Sequence, residues 1–180
     1  MTSKMSGGKG YDAEEALRSY FLSSGYFAVR SVPFNYRNYD VTDIDIWLYM
    51  RATHLNRERA CVDIKRRKTP QAMERIFWTK GLREALGIER AIVVTSDNRP
   101  ETRTFGAAND VTVLHGEFQQ YLIDNYDTKE RITEEDIFKL LSIPCVINRE
   151  VVWAKWYRSA KTKLITCCNF NGCNISTLVY

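Results

Sequence analysis

Two stretches carry charge at positions that strands usually give to apolar residues. "TDIDIWLYM" (Thr42 to Met50) sets two aspartates inside a β-branched and aromatic run, and "ACVDIK" (Ala60 to Lys65) adds an aspartate and a lysine. Side chains alternate between the two faces of a strand, so Asp43, Asp45 and Trp47 share one face and Ile44, Ile46 and Leu48 the other. The same rule groups Asp63 with Lys65 and turns Val62 and Ile64 to the core. If the two strands pair, the charged side chains crowd onto one face. Carboxylates brought together at low effective dielectric repel by roughly several kcal/mol. A hard divalent ion such as Mg²⁺, which takes carboxylate and water oxygens, relieves that repulsion. A lysine beside it can orient or deprotonate a water, or stabilise charge growing on a phosphorus oxygen. The chemistry this suits is phosphodiester hydrolysis. The competing reading is a solvent-facing strand carrying an Asp–Lys pair.

The elements that must position these residues can be read on either side of them. Gly7, Gly8 and Gly10 mark residues 1–10 as a flexible lead-in. A first helix follows, with Asp12 as N-cap, Glu15 as its capping-box partner, Leu17, Tyr20 and Phe21 as the apolar stripe, and Gly25 as the stop. "FAVRSVPF" and "YDVTDIDIWLYM" read as a strand pair joined by the turn "NYRN", and "RACVDIKRR" as a third strand. Thr69 and Pro70 open a helix expected to run to Leu86 and stop at Gly87. Its spacing suggests that Trp78, Leu82, Ala85 and Leu86 pack on the sheet. "RAIVVTS" and "DVTVLHG" are short apolar runs of the kind buried on both faces, separated by a helical or irregular "PETRTFGAAN". Helices are predicted at "GEFQQYLIDNY" and at "TEEDIFKLLS", the latter with Thr133 and Asp136 as a capping box. Past Pro144 no clear period remains.

The succession of a helix bearing glutamate ("YDAEEALRSYFLSSGYF"), a strand with an embedded aspartate ("VTDIDIW"), a strand with D-x-K ("CVDIK"), a helix and a buried strand resembles the PD-(D/E)XK nuclease superfamily. The resemblance covers about residues 10–115 and implies the restriction-endonuclease-like fold, a three-layer α/β/α arrangement around a central mixed sheet. Here a helical or irregular C-terminal extension would follow. The resemblance further implies Mg²⁺, with Mn²⁺ as substitute, and assigns Asp63 and Lys65 to the D-x-K positions. For the first acidic residue it favours Asp45, whose "IDI" setting matches the form many members show, with Asp43 second. Thr42, not proline, precedes Asp43. For the helix glutamate it points to Glu14, three and seven residues before Leu17 and Phe21, since Glu15 already has a capping role. Catalytic candidates are therefore Glu14, Asp45, Asp63 and Lys65, and the metal ligands are the three carboxylates.

Charge distribution agrees with a polyanionic partner. Residues 51–90 hold eleven Lys and Arg against five Asp and Glu, an excess of six in a chain of net charge +4, so the remainder is net −2. Arg66, Arg67 and Lys68 follow the site directly and are candidates for binding DNA phosphates, or simply a solvated strand end. His54 and His115 lack a partner motif. The cysteines of "CCNFNGC" and Cys145 lack the paired spacing of a structural zinc site and read as reduced thiols. No run reaches the roughly 18–20 apolar residues of a membrane span, and "MTSKMSGGKG" has no apolar segment, so a cytoplasmic protein is expected. The expected organisation is a lead-in (1–10), a nuclease-like domain (11–126) and an extension (127–180). The expected activity is that of a metal-dependent endodeoxyribonuclease, of use in restriction, defence, repair or recombination, with a homodimer for double-strand cuts. The alternatives are a non-cleaving nucleic-acid-binding module on the same fold, or a protein-interaction domain.

Overall fold

The computed structural model describes residues 9–37, 39–51, 53, 55–65, 71–125 and 149–167. In chain order these form α1 (Lys9–Ser23), β1 (Phe27–Tyr36), β2 (Tyr39–Arg51), β3 (Arg57–Lys65), α2 (Ala72–Leu86), β4 (Arg90–Thr95), α3 (Pro100–Ala108), β5 (Thr112–Leu114), α4 (Gly116–Asn125) and α5 (Arg149–Cys167). The strands make one five-stranded mixed sheet in the order β1-β2-β3-β4-β5. β2 and β3 run antiparallel, whereas β3, β4 and β5 are parallel and are linked by the crossover helices α2 and α3. This is an α/β architecture. Among the described residues no helix is long and apolar enough to cross a membrane.

By contact the described residues divide into two compact units, 9–31 with 44–125 and 32–43 with 149–167. In the first, strand alternation builds one core from Ile46, Leu48, Ala60, Val62, Ile64, Ile92 and Val94, closed by Leu17 and Phe21 of α1 and Leu122 of α4. The opposite face carries Trp47, Cys61 and Val93, all buried, and receives α2. The sheet of this unit therefore has helices on both faces, as a parallel sheet requires. β4 is buried along its length apart from Arg90, matching its apolar run. In the second unit, α5 buries Lys161 and Ile165, and the Lys161 ammonium lies 4.6 Å from the centre of the Tyr157 ring one turn back.

Several expected boundaries hold for stated reasons. Gly25 adopts φ 88 and Gly87 φ 60. At each, the following amide bonds back into the helix: Tyr26 N–H to the Phe21 carbonyl at 2.9 Å, and Ile88 N–H to the Arg83 carbonyl at 3.2 Å. Both are glycine caps of the left-handed kind. Of the turn expected at "NYRN", Asn35 and Tyr36 end β1 and Arg37 turns with φ 55, while Asn38 lies outside the described residues.

Others are corrected. α1 begins at Lys9, so Asp12 lies inside the helix and not at its N-cap, and Glu15 is engaged in buried ion pairs described below. α2 begins at Ala72 with Gln71 as N-cap and no side-chain cap, and the expected opening at Thr69 and Pro70 lies outside the described residues. Its inward stripe is Ala72, Ile76, Thr79, Leu82, Arg83 and Leu86, while Trp78 and Ala85 are exposed. β5 is only partly buried, in keeping with its place at the sheet edge. The tail expected to lack a period contains α5. The helix expected at 133–142 and the cysteines Cys145, Cys168 and Cys173 lie outside the described residues, as do Arg66, Arg67, Lys68 and His54.

Candidate active site

The β2–β3 ladder carries main-chain pairing from Arg51↔Arg57 to Ile46↔Val62. The link between the two strands is set by Thr53, whose Oγ1 accepts the N–H groups of Leu55 (3.2 Å) and Asn56 (2.9 Å). With that register, Asp45 and Asp63 stand side by side one step past the last pair. They share a face with Trp47 and Cys61. Continuing the register by one step sets Asp45 beside Asp63 at the end of the ladder. Asp45 also ends the ladder: its Oδ2 accepts the Ile64 N–H at 2.6 Å, taking the place of a main-chain carbonyl.

Asp63 is 5% exposed. A buried carboxylate needs a counter-charge, and Arg75 of α2 supplies it. The guanidinium forks both oxygens, donating from Nε to Oδ2 at 2.8 Å and from Nη2 to Oδ1. Arg75 in turn stacks on Trp78, 4.3 Å from the ring centre. The floor behind the pair is apolar: Trp47 and Cys61 are 1% and 0% exposed, and burial pushes the Cys61 thiol up to about 12, leaving it neutral.

Lys65 follows Asp63 by two residues, and its backbone pairs in register with Thr95 on β4. The cluster therefore lies at the carboxyl ends of the parallel strands β3 and β4, the end at which open α/β sheets bind ligands. Just beyond β4, Asp97 is buried and accepts Arg99 Nη2 (2.6 Å), the Arg99 N–H (3.0 Å) and Thr102 Oγ1 (2.9 Å). The Arg99 hydrogen bonds bring its carboxyl down to about 2. It anchors the first turn of α3.

The α1 carboxylates divide differently. Glu15, 2% exposed, receives Arg30 Nη1 at 2.8 Å and Arg18 Nη2 at 2.8 Å. Glu14 is more open, 26% exposed, with Arg30 Nε 3.5 Å away. α1 packs on the core face through Leu17 and Phe21, opposite the face to which Asp45 and Asp63 project. The structure thus brings together Asp45, Asp63 and the strand position of Lys65, and holds Glu14 beside Arg30. Asp43 is exposed and belongs to the second unit.

Mg²⁺ uses one or two carboxylates and fills its octahedron with water and substrate oxygens. Asp45 and Asp63 are carboxylates of the kind Mg²⁺ takes, while in the structure both Asp63 oxygens are held by the Arg75 guanidinium and Asp45 Oδ2 by the Ile64 N–H. Among the described residues no cluster of three or more His, Cys, Asp or Glu has metal-binding geometry. Arg75 is the functional candidate that sequence reasoning missed. Ala72, Arg75, Thr79, Leu82 and Leu86 form a stripe at helical spacing, and an arginine inside it is the signal of a buried partner on the sheet.

No family model matches the chain, and no curated protein matches it. Among solved structures, the chain is similar to the crystal structure of a protein of unknown function, AF1548, at a TM-score of 0.51 and 16% identity, over 87% of this chain and 98% of that one. At that identity the likeness concerns the fold alone.

Proposed function

We propose that the protein is a divalent-metal-dependent endonuclease of the restriction-endonuclease-like kind, acting on DNA phosphodiester bonds. What supports this reading is the register that sets Asp45 and Asp63 next to each other, near the carboxyl ends of β3 and β4. Asp45 and Asp63 hold the ion; Glu14, on the helix that packs against the opposite face of the sheet, stays with Arg30. When bound, the ion supplies Lewis acidity toward a phosphoryl oxygen and lowers the pKa of a bound water. Lys65, two residues from Asp63, orients or deprotonates the attacking water and offsets charge on the scissile phosphate. The Ile64 N–H fixes Asp45, so the ligand geometry is set before substrate arrives. Arg66, Arg67 and Lys68 bind flanking phosphates, and a homodimer presents two such sites to a duplex.

A second reading, a non-cleaving nucleic-acid-binding module on this fold, is favoured by one feature: Arg75 already neutralises Asp63. Incubating the purified chain with plasmid DNA and Mg²⁺, with and without EDTA, separates the two. The nuclease reading expects cleavage that the chelator abolishes, and the module expects salt-sensitive binding with no cleavage.

A further inference from the structure

Helix α5, Arg149–Cys167, holds five Lys and Arg against one Glu, a net charge of +4. That equals the net charge of the whole chain, so the other residues sum to zero. Lys155, Arg158 and Lys161 follow one another three residues apart, and the one acidic residue of the helix, Glu150, is five positions from the nearest of them. Neighbours on a helix surface lie three or four positions apart, so like charges meet here and none of the three has an acidic neighbour in the helix. Such a helix repels itself until an anion covers it.

Burial divides the helix by face. Lys161 and Ile165 turn inward, whereas Lys155, Ser159 and Lys163, at i, i+4 and i+8, form an exposed stripe with Trp156 on one side of it and Arg158 on the other. The two ends of the stripe are about 12 Å apart along the axis, a span of several phosphates. Trp156 is 65% exposed. An aromatic ring set among cations suits a nucleic acid with unpaired bases: its phosphates meet the Lys and Arg, and a base stacks on the ring. An anionic membrane surface would attract the same charges but needs a broad apolar face to receive. Here the exposed face offers one large apolar side chain among three cations, and Ile165 is buried.

We propose that α5 is a binding site for single-stranded nucleic acid, with Lys155, Arg158 and Lys163 on its phosphates and Trp156 stacked on a base. This deepens the proposed function: it rests on nucleic acid being the partner, and on neither a metal ion nor cleavage.

The test is fluorescence anisotropy of the full chain with a labelled single-stranded DNA oligonucleotide of mixed sequence, and with its duplex, at several salt concentrations. Wild type is compared with the triple variant Lys155→Ala, Arg158→Ala, Lys163→Ala and with Trp156→Ala. All four side chains are exposed, so melting temperatures should stay near that of wild type. On single strands each charge removed lowers the salt slope by about 0.7, so the triple variant should lose about 2. Trp156→Ala should weaken single-strand binding by about 5- to 140-fold, the loss of one base stack, and duplex binding much less. An unchanged slope in the triple variant overturns the site, as does unchanged single-strand affinity in Trp156→Ala. Wild type that binds phosphatidylserine vesicles but not the oligonucleotide overturns it in favour of a lipid surface. Should the triple variant fail to fold, Trp156→Ala decides alone. The site and the nuclease reading fail separately. Mg²⁺-dependent cleavage by wild type, with both α5 variants binding as well as it does, leaves the nuclease reading standing without this site. Binding that depends on α5 with no cleavage keeps the site and overturns the nuclease reading, and wild type that binds no nucleic acid overturns both.

Discussion

Replacing Glu15 by glutamine tests whether the adjacent glutamates of α1 have been given the right roles. Glu15 is 2% exposed and faces Arg30, itself 6% exposed. Removing one partner of a buried pair leaves an uncompensated charge and costs about 3–5 kcal/mol. Glutamine keeps the shape and one acceptor, and Glu14 stands 3.5 Å from Arg30 Nε as a remaining carboxylate, which sets the cost at the low end, about 3 kcal/mol. For a chain of 180 residues each kcal/mol moves the melting temperature by about 2–4 °C, so Glu15→Gln should melt about 6–12 °C lower. Glu14→Gln touches a more solvated carboxylate at longer range and should cost no more than about 1 kcal/mol. On the nuclease reading both variants, assayed below their melting points, retain Mg²⁺-dependent cleavage, because α1 packs on the sheet face opposite Asp45 and Asp63. Calorimetry and plasmid cleavage on both variants read the difference. Equal melting temperatures in the two variants, or cleavage lost in either below its melting point, would refute the assignment.

Two further outcomes follow from other parts of the molecule. Asp97 titrates at about 2 when folded against an ordinary 3.8, because Arg99 and Thr102 bond the charged form. Its stabilisation is complete above the unfolded value and is lost as pH falls through about 2. Urea unfolding between pH 4 and pH 2 should therefore lose on the order of 1–2 kcal/mol more in wild type than in Asp97→Asn, the figure being reduced because Arg99 is solvent-exposed; identical slopes would contradict it. Replacing Arg66, Arg67 and Lys68 together with alanine should lower the salt slope of DNA affinity by about 1 per charge removed, and an unchanged slope would mark the cluster as plain solvated surface.

What the sequence made legible was local. Gly25 and Gly87 announce helix ends because only a residue without Cβ takes positive φ cheaply, and the alternation of "TDIDIW" and "CVDIK" set Asp45 and Asp63 apart from the core residues of their own strands, leaving the shared face to the pairing of β2 with β3. What it hid depended on partners far along the chain. For α2 two stripes compete at helical spacing, one through Trp78 and Ala85 and one through Arg75 and Thr79. The apolar one looks better until Asp63 is known to need a cation. Glu15 was assigned to a cap because Arg30, fifteen residues on, could not be seen to meet it. α5 escaped notice because its exposed Trp156 and its buried Lys161, whose ammonium lies over Tyr157, invert the usual pattern.

The central claim is that the charged strand positions exist to cut a phosphodiester bond, and Lys65 tests it most directly. On the nuclease reading its charge acts in the transition state, not in folding or ground-state affinity. Cleavage of plasmid DNA in Mg²⁺ should fall by about 10² or more in Lys65→Ala, the scale on which one preorganised charge-stabilising group acts, with melting temperature and DNA affinity nearly unchanged. Cutting by Lys65→Ala at the wild-type rate would contradict the account, as would wild-type protein showing no Mg²⁺-dependent cleavage of duplex, branched or single-stranded DNA.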